Sequence, residues 1–180
     1  MAKRVRAYIG LGANVGDTRA NLRNAVRALA ALPGVSVRGT SRLYRTRPVG
    51  VTDQPDFLNA VVALDVPAGP DPETGALALL AALKGLEQAI GRKARQRWGP
   101  REIDLDLLVF GRHQIRTERP DKRWLEVPHA DARQRLFVLA PLADLAQGLR
   151  PPGWRESVET VRRRVAATEP DDAVQVVGKL

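Results

Sequence analysis

The sequence predicts an α+β domain in which a mainly antiparallel sheet is flanked by helices. Three observations carry that prediction. At 180 residues the chain fits one domain of ordinary size and falls short of the ~250 residues of a (β/α)8 barrel. Apolar residues make up 44% and charged residues 27% of it, the balance of a folded globular chain. Strand-like and helix-like segments alternate along it, but the loops between them are short, which favours antiparallel neighbours over parallel crossovers. Residues 1–168 are assigned to a single domain. Residues 169–180, opening with Glu169-Pro-Asp-Asp172, are assigned to a C-terminal tail.

Val5 to Leu11 reads as the first strand, and Gly10, Gly12 and Gly16 mark the turn after it. Asp17 or Thr18 can cap the helix that follows, whose Leu22, Ala25, Val26, Leu29 and Leu32 recur at helical spacing. Pro33-Gly34 stops it. Val35 to Tyr44 is a second strand, with Val35, Val37 and Gly39 expected on one face. A polar loop over 45–56 leads to a third strand, Phe57 to Val66, and a breaker cluster from Pro67 to Pro72. The second helix carries the stripe Ala76, Leu79, Leu80, Leu83, Leu86 and Ile90 and ends at Gly91. Ile103 to Phe110 is a fourth strand, and Ile115 starts a short fifth. Residues 117–124 are polar and irregular. A helical stretch near 131–147 and a basic helix, Trp154 to Ala166, complete the elements.

Composition removes several function classes. Cysteine is absent, so disulfides, thiolate metal sites and a cysteine nucleophile are excluded. With only His113 and His129, one chain cannot supply a three-histidine centre, and carboxylates are the metal ligands left, which favours magnesium, calcium or manganese. The longest apolar run, Ala76 to Leu83, is far below the ~20 residues of a membrane span, and no cleavable leader is recognisable. A cytoplasmic protein without a membrane partner is expected. The net charge is +9. Of the 29 basic residues all but Lys3, Lys84, Lys93, Lys122 and Lys179 are arginine, whose planar fork of donors matches phosphate oxygens. Two nucleotide motifs fail. In Gly10-x-Gly12-x-x-x-Gly16 the third glycine comes one place late for a dinucleotide fingerprint, and Gly85-x5-Gly91-Arg92-Lys93 lacks the spacing and hydroxyl residue of a P-loop.

The strongest chemical signal is Arg97-Trp98-Gly-Pro-Arg101-Glu-Ile-Asp104-Leu-Asp106-Leu-Leu. Side chains alternate along a strand, so Asp104 and Asp106 share a face, Leu105 and Leu107 point the other way, and Leu108 returns to the aspartate face. Two neighbouring carboxylates repel unless a cation or proton lies between them. Magnesium held by one or two carboxylates together with substrate phosphates is one solution. The acid pair follows a basic stretch with Arg92, Lys93, Arg95, Arg97 and Arg101. Together they make a site suited to a magnesium-bound polyphosphate.

This block resembles the signature of the 6-hydroxymethyl-7,8-dihydropterin pyrophosphokinase family. Other segments agree in order: Ala7-Tyr-Ile-Gly-Leu-Gly-Ala-Asn14; Leu43-Tyr-Arg-Thr46-Arg-Pro-Val49-Gly50 with Asp53-Gln-Pro-Asp-Phe57-Leu-Asn59; and Val127-Pro-His129 with Arg135-Leu-Phe137-Val-Leu-Ala-Pro-Leu142. The resemblance spans about residues 5–150. It implies a ferredoxin-like core in a three-layer α/β/α sandwich, and transfer of the β,γ-diphosphate of ATP to the pterin hydroxymethyl group with release of AMP. It implies that Asp104 and Asp106 hold two magnesium ions and that Arg92 and Arg101 stabilise the moving diphosphate. Glu87, Arg92, Trp98, His129 and Arg135 would lie on the ATP side. Thr46, Val49, Phe57, Asn59, Trp98 and Phe137 would contact the pterin. A monomer is implied.

Some positions depart from the family pattern. Ala94 stands where arginine is frequent, Ala13 where serine is frequent, and Ala130 where a larger residue is usual. Pro120 to Trp124 reads as an insertion, so no ATP contact is assigned at 119–126. Two rival readings are a nucleic-acid-binding module that uses the arginine loop and a catalytically dead relative. Against the first, the chain has only three Phe, three Trp and two Tyr for the stacking that single-strand binders use, and no nucleic-acid partner is expected. Against the second, Arg92, Arg101, Asp104 and Asp106 are all present.

Overall fold

A computed structural model describes residues 3–93 and 99–180. Its elements are β1 (Arg4–Ala13), α1 (Thr18–Ala31), β2 (Ser36–Thr40), β3 (Arg42–Thr46), β4 (Phe57–Pro67), α2 (Pro72–Ile90), β5 (Asp104–Phe110), β6 (Ile115–Glu118), β7 (Trp124–Val127), α3 (Leu136–Ala146), α4 (Val158–Ala166) and β8 (Val174–Lys179); β7 and β8 were not expected from the sequence. Asp17 caps α1 by accepting from the Ala20 N–H at 3.0 Å. Asp71 caps α2 through the Thr74 N–H, Pro72 sits in the first turn, and Gly91 closes it at φ 104°.

The main sheet runs β5-β1-β4-β3-β8, with β2 also paired to β4, and its ladders are antiparallel. β6 and β7 form a separate hairpin. One sheet face carries Ala7, Ile9, Leu11, Ala60, Val62, Leu64, Leu105 and Leu107, which pack with Leu22, Leu29, Leu79 and Leu83 of α1 and α2. Each fully buried aliphatic side chain there contributes about 1.5–3 kcal/mol. The other face carries Tyr8, Val61, Ala63, Leu108 and Val109, which pack with Leu142 of α3 and Val158 of α4. This is the expected three-layer sandwich. The second helix layer leaves one end of its sheet face open, and the candidate site lies there.

Six expectations need correction. The basic helix expected from Trp154 begins at Val158, because Ser157 caps it by accepting the Thr160 N–H at 3.2 Å. The stretch 117–124, expected irregular, is strand at both ends, where Glu118 pairs with Trp124. The single strand expected over 35–44 is two, broken at Ser41. Ser41 is buried, its N–H donates to the Val61 carbonyl and its Oγ accepts from the Val61 N–H, each at 2.9 Å. A bulge between Val37 and Gly39 turns Gly39 away from the face of Val37 and toward Leu145 of α3. The stretch near 131–147 is a 3-10 turn, Ala132–Gln134, followed by the shorter α3. The segment expected as a tail contributes a sheet strand: β8 pairs with β3, and Arg19 on α1 donates to the Val177 carbonyl at 2.8 Å.

Candidate active site

The site is built by register. β1 lies between β5 and β4, so Gly12 faces Asp104 on one side and Asn59 on the other, and Gly10 faces Asp106 and Val61. Positions two apart on a strand share a face, and the two glycines therefore leave a trough between the aspartates and Asn59. A Cβ on Gly12 would lie 2.9 Å from Asn59 Oδ1, a spacing that forces the amide to move. A bulge where β5 meets Tyr8 and Ile9 puts Leu108 and Val109 together against α3 and α4, which closes the lower end of the trough.

The trough opens into a cavity of about 290 Å³. Arg101, Asp104, Asp106 and His129 line its β5 side; Thr46, Val49, Phe57 and Asn59 line its β3–β4 side; Arg135 and Phe137 come from the start of α3. Ten of the sequence-expected site residues are thus brought to one cavity. Asn59 donates from Nδ2 to Thr46 Oγ1 at 2.7 Å, and both are buried, so the amide is held in one orientation. The Arg135 guanidinium sits 5.8 Å from the centre of the Phe137 ring and donates to Asp131 Oδ2 at 2.5 Å. His129 accepts the Asp131 N–H at Nδ1, 3.2 Å away, so the neutral ring carries its proton on Nε2.

The two aspartates sit in different fields. Arg92 donates to Asp104 Oδ1 at 2.6 Å, and Arg101 donates to its Oδ2. Burial opposes the Asp104 charge, but Arg101, Lys84 and Arg92 outweigh it and hold the carboxyl below the usual range. Asp106 keeps 40% of its side-chain surface open to the cavity yet lies deep beneath the surrounding protein. Burial and the neighbouring charge of Asp104 push its carboxyl up, offset only in part by Lys84 and His129.

Glu87 and Arg92 lie outside the cavity lining. Glu87 is buried beneath the outer side of β5, where it accepts the Leu105 N–H at 2.7 Å. Lys84 donates to Glu87 Oε1 at 2.7 Å and to the Leu105 carbonyl at 2.9 Å. Glu87 also pairs with Arg92. Its carboxyl is pushed up, chiefly by burial. A chain of charges therefore runs Lys84–Glu87–Arg92–Asp104–Arg101 along the edge of the site. Trp98, expected on both substrate sides, lies outside the described residues, as do Ala94, Arg95 and Arg97. The sequence reading missed Lys84, Arg47 and Asp131. The spacing of Lys84, on the same helix face as Glu87 and one turn before it, was the available signal.

The site thus presents two hard oxygen donors, a pair of arginines beside them, and an amide–aromatic wall opposite. Among the described residues no group of three or more His, Asp or Glu converges on one point, so protein ligands alone do not complete a cation's shell and substrate oxygens have room to do so.

The profile of the 7,8-dihydro-6-hydroxymethylpterin-pyrophosphokinase family matches residues 8–147. A Methylorubrum extorquens 2-amino-4-hydroxy-6-hydroxymethyldihydropteridine pyrophosphokinase is 44% identical over 171 residues, covering 95% of this chain and 98% of its own. The Bacillus subtilis protein of the same name is 43% identical, with 78% of each chain covered. A mitochondrial folate synthesis bifunctional protein of Pisum sativum is 43% identical over 76% of this chain but only 24% of its own. Among solved structures, Plasmodium falciparum HPPK-DHPS with pteroate matches the fold with a TM-score of 0.77 at 14% identity; 97% of this chain aligns with 47% of that one, so the chain spans about half its length. On this similarity, and with the motif residues gathered in one cavity, the chain belongs to the 7,8-dihydro-6-hydroxymethylpterin-pyrophosphokinase family.

Proposed function

We propose that this chain transfers the β,γ-diphosphate of ATP to the hydroxymethyl oxygen of 6-hydroxymethyl-7,8-dihydropterin, giving the pterin diphosphate and AMP in folate biosynthesis. The observation that carries the reading is one cavity with Asp104, Asp106 and Arg101 on one side and Thr46, Phe57 and Asn59 on the other. The pterin oxygen bonds to the β-phosphorus of ATP, the bond from that phosphorus to the α,β-bridging oxygen breaks, AMP leaves, and the hydroxyl proton passes to solvent. Asn59, held by Thr46, reads the polar edge of the pterin; Phe57 and Phe137 bracket its ring, and Val49 covers its rim. His129 and Arg135 serve the nucleotide.

Asp104 and Asp106 fit magnesium, because both offer carboxylate oxygen and neither competes with nitrogen or sulfur donors. Two ions are the number we propose, and when bound they neutralise phosphate charge. Arg92 and Arg101, now on Asp104, are placed to meet the charge that develops on the transferring group. Trp98 is assigned to the site by motif. The domain is taken to extend through β8, and the protein to act as a monomer in the cytoplasm. No helix of the described residues is long and apolar enough to cross a membrane.

The test is an AMP assay with ATP, magnesium and the pterin, alongside Asp104→Ala and Asp106→Ala. AMP that requires the pterin and is lost in both variants is expected. No AMP from folded wild-type protein would overturn the reading.

A further inference from the structure

Asp144 lies on α3 two turns beyond Phe137, so the two share one helix face about 10 Å apart. Only 15% of its side-chain surface is exposed. Both carboxylate oxygens are engaged from β3. The Tyr44 hydroxyl donates to them at 2.9 Å. The Arg42 N–H donates to Oδ2 at 3.0 Å, its Nε to Oδ2 at 3.1 Å and its Nη2 to Oδ1 at 2.6 Å. Arg42 Nη2 also donates to the Tyr44 oxygen at 3.0 Å. Burial opposes the Asp144 charge, but Arg42 and Tyr44 outweigh it and hold the carboxyl below the usual range. Burial and the Asp144 carboxylate push the Tyr44 hydroxyl up to about 12, so it remains a donor. Arg42, Tyr44 and Asp144 line a separate cavity of about 750 Å³, and none of them lines the main one.

This latch sits one strand step from the pterin side. Tyr44 and Thr46 share a face of β3 about 6.5 Å apart, and Tyr44 is paired with Asn59 on β4. One helix thus meets one strand at two levels: Asp144 on Tyr44, and Phe137 across the cavity from the bonded Thr46 and Asn59. Leu142 packs α3 onto the sheet, but apolar burial is non-directional and fixes depth more than register. The helix starts without a side-chain cap and contains Pro141, which lacks the N–H that would bond the Phe137 carbonyl. The directional bonds to Asp144 therefore decide where α3 stands along β3. We propose that Asp144 is a positioning residue: through Tyr44 and Arg42 it sets the gap between Phe137 and the Thr46–Asn59 pair, and so the width of the slot that takes the flat pterin ring. This rests on the pyrophosphokinase reading. Arg135 precedes the helix and is tied to Asp131, so the nucleotide side keeps its own anchor.

The experiment is titration calorimetry with 6-hydroxymethyl-7,8-dihydropterin on the whole chain, saturated with magnesium and α,β-methylene-ATP, for wild type, Tyr44→Phe, Asp144→Asn and Asp144→Glu. Tyr44→Phe is expected to raise the pterin Kd about threefold and Asp144→Asn about tenfold, with Asp144→Glu recovering part of the loss. The Kd of the analogue titrated alone should stay within about twofold in every variant. In turnover the pterin KM rises while kcat per binding site stays within about threefold. A latch that only stabilises the fold would lower the thermal midpoint and the number of binding sites, and leave the pterin Kd of the remaining sites as in wild type. That result overturns the inference, as does an equal loosening of both ligands. Tyr44→Phe removes a single hydroxyl, so it carries the test if Asp144→Asn folds poorly. Wild type that binds neither ligand and forms no AMP overturns the pyrophosphokinase reading itself.

Discussion

The two faces of the sheet are made from the same strands and differ in nearly everything else. Along β5, Leu105 and Leu107 enter the packed core while Asp104 and Asp106 enter the cavity. Along β1, Ile9 and Leu11 go to the core, and Gly10 and Gly12 floor the trough. One face is closed by two helices along its length, and the other is closed only where α3 and α4 lie. Period-two alternation thus puts stability and chemistry on alternate residues, one bond apart. Substitutions on the two faces should separate stability from turnover.

The largest expected effect is on the open face. Asp106→Asn removes a carboxylate already held against its neighbour's charge, and is expected to lower kcat about a thousandfold, about 4 kcal/mol of activation free energy. Its thermal midpoint should hold or rise, since like-charge repulsion is relieved. A matching fall in midpoint and turnover would break the comparison. On the closed face, Leu64→Ala leaves a cavity in a fully buried position and is expected to cost about 2–5 kcal/mol. Denaturant titration measures that loss, and kcat of the folded fraction should stay close to wild type.

Gly12→Ala sharpens the comparison within the open face. Its Cβ displaces Asn59 Oδ1, so the pterin KM should rise about tenfold while the ATP KM and the midpoint change little. Steady-state kinetics with each substrate varied distinguishes the two. The smallest effect lies away from both faces. Arg162 and Arg163 donate to Glu159 and hold its carboxyl down at about 2. A carboxyl depressed on folding adds stability above its unfolded pKa and loses it as pH falls through the folded one. The midpoint advantage of wild type over Glu159→Gln should therefore shrink between pH 4.5 and about 2, and a constant difference would refute the assignment.

Much of this division was legible beforehand. The shared face of Asp104 and Asp106, the return of Leu108, and the stripes of α1 and α2 follow from periodicity alone. The break at Ser41 did not, because Ser41 leaves the strand pattern only through its two bonds to Val61 on a strand twenty residues away. β8 was hidden behind Pro170, Asp171 and Asp172, since its pairing with β3 is a tertiary event that a six-residue run cannot announce. Glu87 shows the same limit at the site. Helical spacing puts it near β5, but only the register of Leu105 decides that its carboxylate supports the strand from outside and does not line the cavity. Lys84 received no reading from the sequence, although it reaches the backbone between the two aspartates.

The side-chain caps on Leu105 have a consequence for solution behaviour. β5 is the outermost strand of the sheet, and a bare outer strand is a template on which another chain can grow. At Leu105 the outward N–H and carbonyl are already taken by Glu87 and Lys84. An approaching strand would have to displace a buried carboxylate and an ammonium group before it could make its first ladder bond. The charged pair that steadies the aspartates from behind thus also obstructs strand addition at Leu105, beside the polar trough.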